Sequence, residues 1–234
     1  MRPALYLALA ALAGAAAAPA GAAPARKAAP ARADWSRTVV ATPEGGFRMG
    51  NPAARVKLVE YGSLTCSHCA SFALSGMAPL VGTYVRSGKV SYEYRNYILN
   101  GLDVAATLVA RCGGPGRFFQ VADKLYSTQA QWMGRATALS QAQKEQLNGL
   151  PEVRQLAPIA DAVGLTVLAA QHGISPARAR RCLSDQAAVN RLLAMAQAAE
   201  AHGVSRTPTF FFNGANIGTQ SWATLEPILR EAAG

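Results

Sequence analysis

Long runs of lysine or arginine are missing from this 234-residue chain, and no stripe of basic residues interleaved with aromatics replaces them. The formal net charge of +10 is scattered over stretches such as RSGK and ARARRC, which argues for a generally basic surface and against a nucleic-acid footprint. Charged residues are scarce, at 15% against 50% hydrophobic, so wholesale disorder is excluded and a sizeable core is expected in one large domain or two small ones. There is no second CxxC, and His172 and His202 stand at no metal-ligand spacing. A four-ligand zinc site therefore lacks its ligands, and neither metal nor cofactor is expected. No internal repeat is visible.

What is present begins with residues 1–23, MRPALYLALAALAGAAAAPAGAA: one arginine, an apolar stretch, then small residues with candidate A-x-A cleavage near Ala18 or Ala22. This reads as a cleaved secretory signal. The apolar part is short for a membrane span and has no stop-transfer flank. Residues 24–34 read as a flexible Pro/Ala-rich segment. Export changes how the four cysteines, Cys66, Cys69, Cys112 and Cys182, are read. An even count in an oxidising compartment favours disulfides over metal.

VKLVEYGS (56–63) has the composition of a buried strand, and the stretch from Cys66 to Pro79 suits a helix packed on a sheet. KVSYEYRNYIL (89–99) alternates like a strand, so 56–99 forms a strand, helix, strand unit with a parallel pair. An earlier strand falls within RTVVA (37–41), followed by the turn-rich PEGGFRMGNPAA. From about 103 to 203 the apolar periodicity is helical, with Ser175-Pro176 as an N-cap and first helical position. RTPTFFFNGANI (206–217) returns to strand chemistry around an Asn213-Gly214 turn, and a helix capped by Ser221 closes the chain.

Three stretches in this order, VEYGSLTCSHC, the helical region with RFFQVADKLYSTQAQW, and GVSRTPTFFFNG, resemble the DsbA-like thiol:disulfide oxidoreductases of the thioredoxin fold over about residues 35–233. The resemblance implies an α/β fold: a thioredoxin-like mixed β-sheet flanked by helices, with an inserted all-helical subdomain. The expected boundaries are a thioredoxin fold over 35–101 and 186–234, with the insertion at 102–185. It also implies a periplasmic protein whose partners are reduced, unfolded or partly folded exported proteins and a membrane thiol oxidase or reductase that recycles the site. A monomer is expected.

A cysteine opening a helix sits where unpaired N–H groups and the helix dipole favour an anion, so Cys66 is the expected attacking thiolate. Cys69, one turn in, would face inward and resolve the mixed disulfide. His68 is expected to add a donor and partial positive charge beside the Cys66 sulfur; the alternative is an exposed turn residue. The resemblance places a cis Thr207–Pro208 loop against the CxxC, with the residue 207 N–H and C=O free to pair with an extended substrate. Thr207 departs from the aliphatic residue seen in some thiol oxidases, and its hydroxyl could tune the couple. Glu60 is a buried proton relay for Cys69 on the resemblance, or an edge acid in water on its bare reading. Cys112 and Cys182 are expected to form a second disulfide within the helical region; two buried free thiols are the alternative. Phe72, Phe118, Phe119, Phe210, Phe211 and Phe212 read as core, Trp132 as core or groove wall, and His172 and His202 as surface. Against the oxidase reading stand an isomerase or reductase kept reduced by a membrane partner, a Cu(I)-binding protein using His68 and the thiols, and a binding module with a structural Cys66–Cys69 staple.

Overall fold

In the computed structural model residues 33–234 are described. The expected signal, 1–23, and the Pro/Ala-rich stretch as far as residue 32 lie outside the described residues. The chain first forms a hairpin: β1 (Val39–Ala41) and β2 (Phe47–Gly50) pair antiparallel, with Val39 opposite Met49. The second strand corrects the reading of PEGGFRMGNPAA as turn throughout. Only its first part turns, closed by backbone bonds between Thr42 and both Gly45 and Gly46, with Gly45 at φ 84°. Phe47 and Met49 then bury into the core, and pairing on both sides overrides the local turn chemistry.

β3 (Val56–Gly62) leads into α1 (Ser67–Pro79), whose end widens over Leu80–Val85 before β4 (Val90–Asn96). β3 and β4 are parallel, with Glu60 opposite Tyr94. Eight helices follow: α2 (Gly101–Arg111), α3 (Pro115–Ser127), α4 (Gln129–Thr137), α5 (Gln141–Asn148), α6 (Glu152–Val163), α7 (Leu165–Gln171), α8 (Pro176–Leu183) and α9 (Gln186–Ala201). Their ends follow side-chain chemistry. Asn100, Ser140, Ser175 and Asp185 each accept a first-turn N–H, and Gly164 ends α6 in the left-handed region. Apolar periodicity does not separate the short α4, α5 and α7 from their neighbours.

β5 (Thr209–Phe212) and β6 (Ala215–Gly218) are joined through Asn213 and Gly214, both at positive φ, and α10 (Trp222–Ala233) follows its Ser221 cap. The sheet order is β1-β2-β4-β3-β5-β6, with β3 central and β3–β4 its parallel pair. One apolar cluster runs from Leu58, Tyr92 and Phe210 in the sheet to Leu125, Ala160 and Leu183 in the helical region. Insertion and sheet thus share a core. Their arrangement brings the end of β3, the start of α1 and the residues before β5 to one place.

Candidate active site

β3 is central and apolar, so the chain leaves it at a buried loop, Ser63–Cys66. Cys66 has extended backbone (φ −82°, ψ 122°) and serves as the N-cap of α1. Its Sγ accepts from the Cys69 N–H at 3.4 Å. Cys66 retains 9% exposure and Cys69 none, so only the first sulfur meets a reagent from solvent. Both are free thiols.

The two thiols are driven apart. A hydrogen bond from the Cys69 side chain, then one from Thr207 and the backbone N–H groups of Cys69 and His68, outweigh burial and lower the Cys66 pKa from 9.0 to about 5. Burial chiefly pushes Cys69 well above the usual thiol range, helped by its bond to Cys66 and the charges of Glu60 and Cys66. One sulfur is thus a thiolate at neutral pH and its neighbour a protonated donor.

His68 departs from its expected role. Its side chain is exposed, and the part of the residue that acts on the Cys66 thiolate is its backbone N–H. The Thr207–Pro208 peptide is cis, and both residues are buried against the thiols. The Thr207 carbonyl accepts from the Cys66 thiol at 3.4 Å, so in the dithiol form it is engaged, contrary to the expectation of a free C=O. Carbonyl and hydroxyl pull in opposite directions: the carbonyl favours the neutral thiol and the side chain favours the thiolate. The Cys69 hydrogen bond, joined by the Thr207 side chain and the backbone N–H groups of Cys69 and His68, makes the thiolate the favoured form.

Glu60 is 2% exposed on the central strand, and Tyr92 donates its hydroxyl to the Glu60 carboxylate at 2.5 Å. Burial raises its pKa from 4.5 to about 8 against the opposing Tyr92 bond, with the Cys66 charge adding to the rise. A cavity of about 40 Å³ between Glu60, Tyr92, Phe119 and the exposed Asp123 has room for water beside the carboxyl. The sign for stability follows directly. A group with a raised folded pKa contributes fully below its unfolded value, here 4.5, and that contribution is lost as pH rises through about 8. Glu60→Gln is expected to flatten this dependence and to stabilise the protein by up to about 4 kcal/mol at pH 8. Urea unfolding of parent and variant between pH 4 and 9 checks it; parallel pH profiles would remove Glu60 as the source.

Cys112, at the C-cap of α2, and Cys182, in α8, are bonded at 2.03 Å with their Cα atoms 5.9 Å apart. Trp132 is core: it is 1% exposed and donates its indole N–H to the Leu125 carbonyl at 2.8 Å. His172 and His202 cap the ends of α7 and α9. Three further residues at the site were not singled out individually by the sequence, though Tyr126 and Gln129 lie within RFFQVADKLYSTQAQW. Asp103, Tyr126 and Gln129 come from α2, α3 and α4 and bond to the Ser63–Cys66 loop. Asp103 stands in a first helical turn, where an acid ordinarily faces solvent. Burial raises its pKa from 3.8 to about 6, despite bonds from Ser63, Leu99 and Leu64.

Residues 42–231 match the family profile described as Thioredoxin. The structure of a protein-disulfide isomerase from Novosphingobium aromaticivorans is 31% identical, with a TM-score of 0.75 over 81% of this chain and 98% of that one. The structure of alpha-DsbA1 from Wolbachia pipientis, at 18% identity, shares the fold, with a TM-score of 0.66 over 83% of this chain and 94% of its own. A Rickettsia conorii protein named as a protein-disulfide oxidoreductase is 29% identical over 186 residues, 79% of this chain and 59% of its own length. The chain thus spans about three fifths of the curated relative. With a profile match over most of its length, a mixed sheet interrupted by helices and a CxxC at the first strand-to-helix junction, the chain belongs to the thioredoxin family.

Proposed function

We propose that this protein is an exported thiol:disulfide oxidoreductase that donates a Cys66–Cys69 disulfide to folding proteins. The observation that carries this reading is the divergence of the two thiols, with Cys66 lowered to about 5 and Cys69 raised. A client thiolate attacks Cys66 Sγ in the disulfide form and breaks the Cys66–Cys69 bond. Cys69 leaves as a thiolate and takes up a proton, for which Glu60 and the adjoining cavity offer a route. A second client thiolate then attacks the client sulfur of the mixed disulfide. Cys66 is released as a stable thiolate, the client holds the new disulfide, and two electrons rest on the Cys66–Cys69 dithiol. A membrane thiol oxidase would return the site to the disulfide. Export rests on residues 1–23 and is supported by a Cys112–Cys182 disulfide, a bond that persists in oxidising compartments such as the periplasm.

The same thiolate sets the direction. What stabilises the reduced form makes the disulfide a stronger oxidant, by about 30 mV per pKa unit in a two-electron couple. A depressed folded pKa contributes stability above the unfolded value, lost as pH falls through about 5. The dithiol form is therefore expected to gain on the disulfide form between about pH 5 and 9. At full strength the gain is about 1.4 kcal/mol per unit, and solvent screening at this partly exposed sulfur reduces it. The small loop closed by the disulfide adds an offset that does not change with pH. Unfolding both redox forms across that range reads the slope. A flat difference, or a reduction potential near about −270 mV, that of thioredoxin, would reject the oxidase and favour a reductase. The isomerase reading draws on the Novosphingobium protein's name and predicts rescue of scrambled disulfides by the reduced protein.

A further inference from the structure

All four residues that carry the chain from β3 to the first thiol, Ser63–Cys66, are buried. Connections ordinarily run over the surface because buried backbone polar groups need partners. Here the partners come from the helical insertion. Asp103 accepts from the Leu64 N–H at 3.0 Å and from Ser63 Oγ at 2.7 Å. Asn100 donates to Thr65 Oγ1 at 3.1 Å, and the Tyr126 hydroxyl donates to the Ser63 carbonyl at 3.1 Å. Gln129, 8% exposed, bridges two points: its Nε2 donates to the Leu64 carbonyl at 2.8 Å and to the Cys66 carbonyl at 3.0 Å. Both amide hydrogens are then in use, and the two carbonyls bracket Thr65. The reversed amide would set oxygen against two carbonyl oxygens, so the network permits one orientation.

We propose that Gln129 is a positioning residue for the Cys66 thiolate, acting through the Cys66 backbone and touching neither sulfur. The Cys69 N–H reaches Cys66 Sγ at 3.4 Å, and such a bond weakens as the N-cap residue shifts or rotates. The Cys66 carbonyl also accepts the first helical bond, from the Ala70 N–H at 3.1 Å, so Gln129 grips the residue where the helix begins. Without the bridge the Leu64 carbonyl loses its side-chain donor in a buried place, and the loop must move to find water. The insertion in this way governs the reactivity of a cysteine that belongs to the thioredoxin part of the chain.

The test is Gln129→Met in the full protein, reduced. Methionine matches the length and volume of glutamine and lacks both donors. Thiolate absorbance against pH reads the Cys66 pKa, and a melting curve on the same sample reads stability. The pKa is expected to rise by about one unit or more. Gln129→Asn keeps the amide but is one methylene too short to bridge both carbonyls; it is expected to shift the pKa in the same direction by less, and it replaces the first variant should that fail to fold. A lowered melting temperature with a Cys66 pKa within about 0.2 unit of the parent in a folded variant would overturn the proposal, leaving Gln129 a structural bond only. No substrate enters the measurement, so its outcome is separate from the direction of disulfide transfer.

Discussion

Cys66→Ser is expected to lower disulfide transfer to a reduced client by at least about 10³-fold, while Cys69→Ser leaves a protein that captures clients and does not release them. The asymmetry follows from burial and proton affinity. Cys66 keeps 9% exposure and a pKa of about 5, whereas Cys69 is fully buried with its thiol pushed up. A client sulfur can therefore reach only Cys66, and only Cys69 is placed to resolve the bond from inside. Serine at 66 removes the one reachable electrophilic sulfur. Serine at 69 removes the resolving thiol, and it also replaces the side chain whose hydrogen bond contributes most to lowering the Cys66 pKa. The trapped species should therefore form more slowly below pH 7 than the reduced parent's Cys66 attacks the same client disulfide, yet persist. Transfer is read with a reduced exported protein and the disulfide form of the parent. Trapping is read by non-reducing electrophoresis after each variant is mixed with an exported protein that carries disulfides, where the free thiolate cleaves a client disulfide, forms the mixed disulfide and displaces a client thiolate. Trapping by Cys66→Ser, with none by Cys69→Ser, would reverse the two roles.

Removing the second disulfide, by Cys112→Ala with Cys182→Ala, is expected to destabilise the protein by about 4 kcal/mol on the chain-entropy model. The bond spans 70 residues and closes α3 to α7 into one loop between α2 and α8. Opening that loop returns conformational freedom to the unfolded chain, while Cys112 itself is buried at the edge of the apolar cluster. Against a typical domain stability of about 5–15 kcal/mol the loss is a large fraction. The urea midpoint of the double variant measures it, with Cys66 and Cys69 held reduced in both proteins. A loss under about 1 kcal/mol would mean that the insertion holds itself together without the bond. The thiolate at Cys66 gives a second readout, because α2 carries Asp103 to the active-site loop. Where the insertion merely loosens, the Cys66 pKa should rise along with the lost stability.

Much of the fold could be read locally. The βαβ unit around the CxxC, the Ser175, Ser221 and Asn213-Gly214 boundaries and the helical character of 103–203 each depend on side chains within a few residues of the feature they shape. A cap needs only its own helix, and an apolar period needs only its own face. β2 escaped because it is built against composition: Phe47 and Met49 hold a strand through β1 and β4, partners on either side that no local pattern shows. The place of Cys66 at a helix start was equally legible, since the first cysteine of a CxxC there meets free N–H groups wherever the helix packs.

The surroundings of that sulfur were decided only by tertiary structure. Whether Glu60 met water or the interior turned on β3 being central, which placed Tyr92 against its carboxyl and moved its pKa toward 8. His68 looked like a ring beside a thiolate, yet the helix turns that ring outward and offers its backbone N–H instead. Asp103, Tyr126 and Gln129 lie 37 or more positions from Cys66, and although the last two fall within RFFQVADKLYSTQAQW, nothing in residue order joins them to the Ser63–Cys66 loop. Their hydrogen bonds exist because α2, α3 and α4 fold back over the end of β3, and a directional bond of about 3 Å has no counterpart in residue order. Residue order alone put two cysteines at the start of a helix behind a strand; the packing of the insertion decided how that helix start is held, because its hydrogen-bond partners sit on helices distant in sequence.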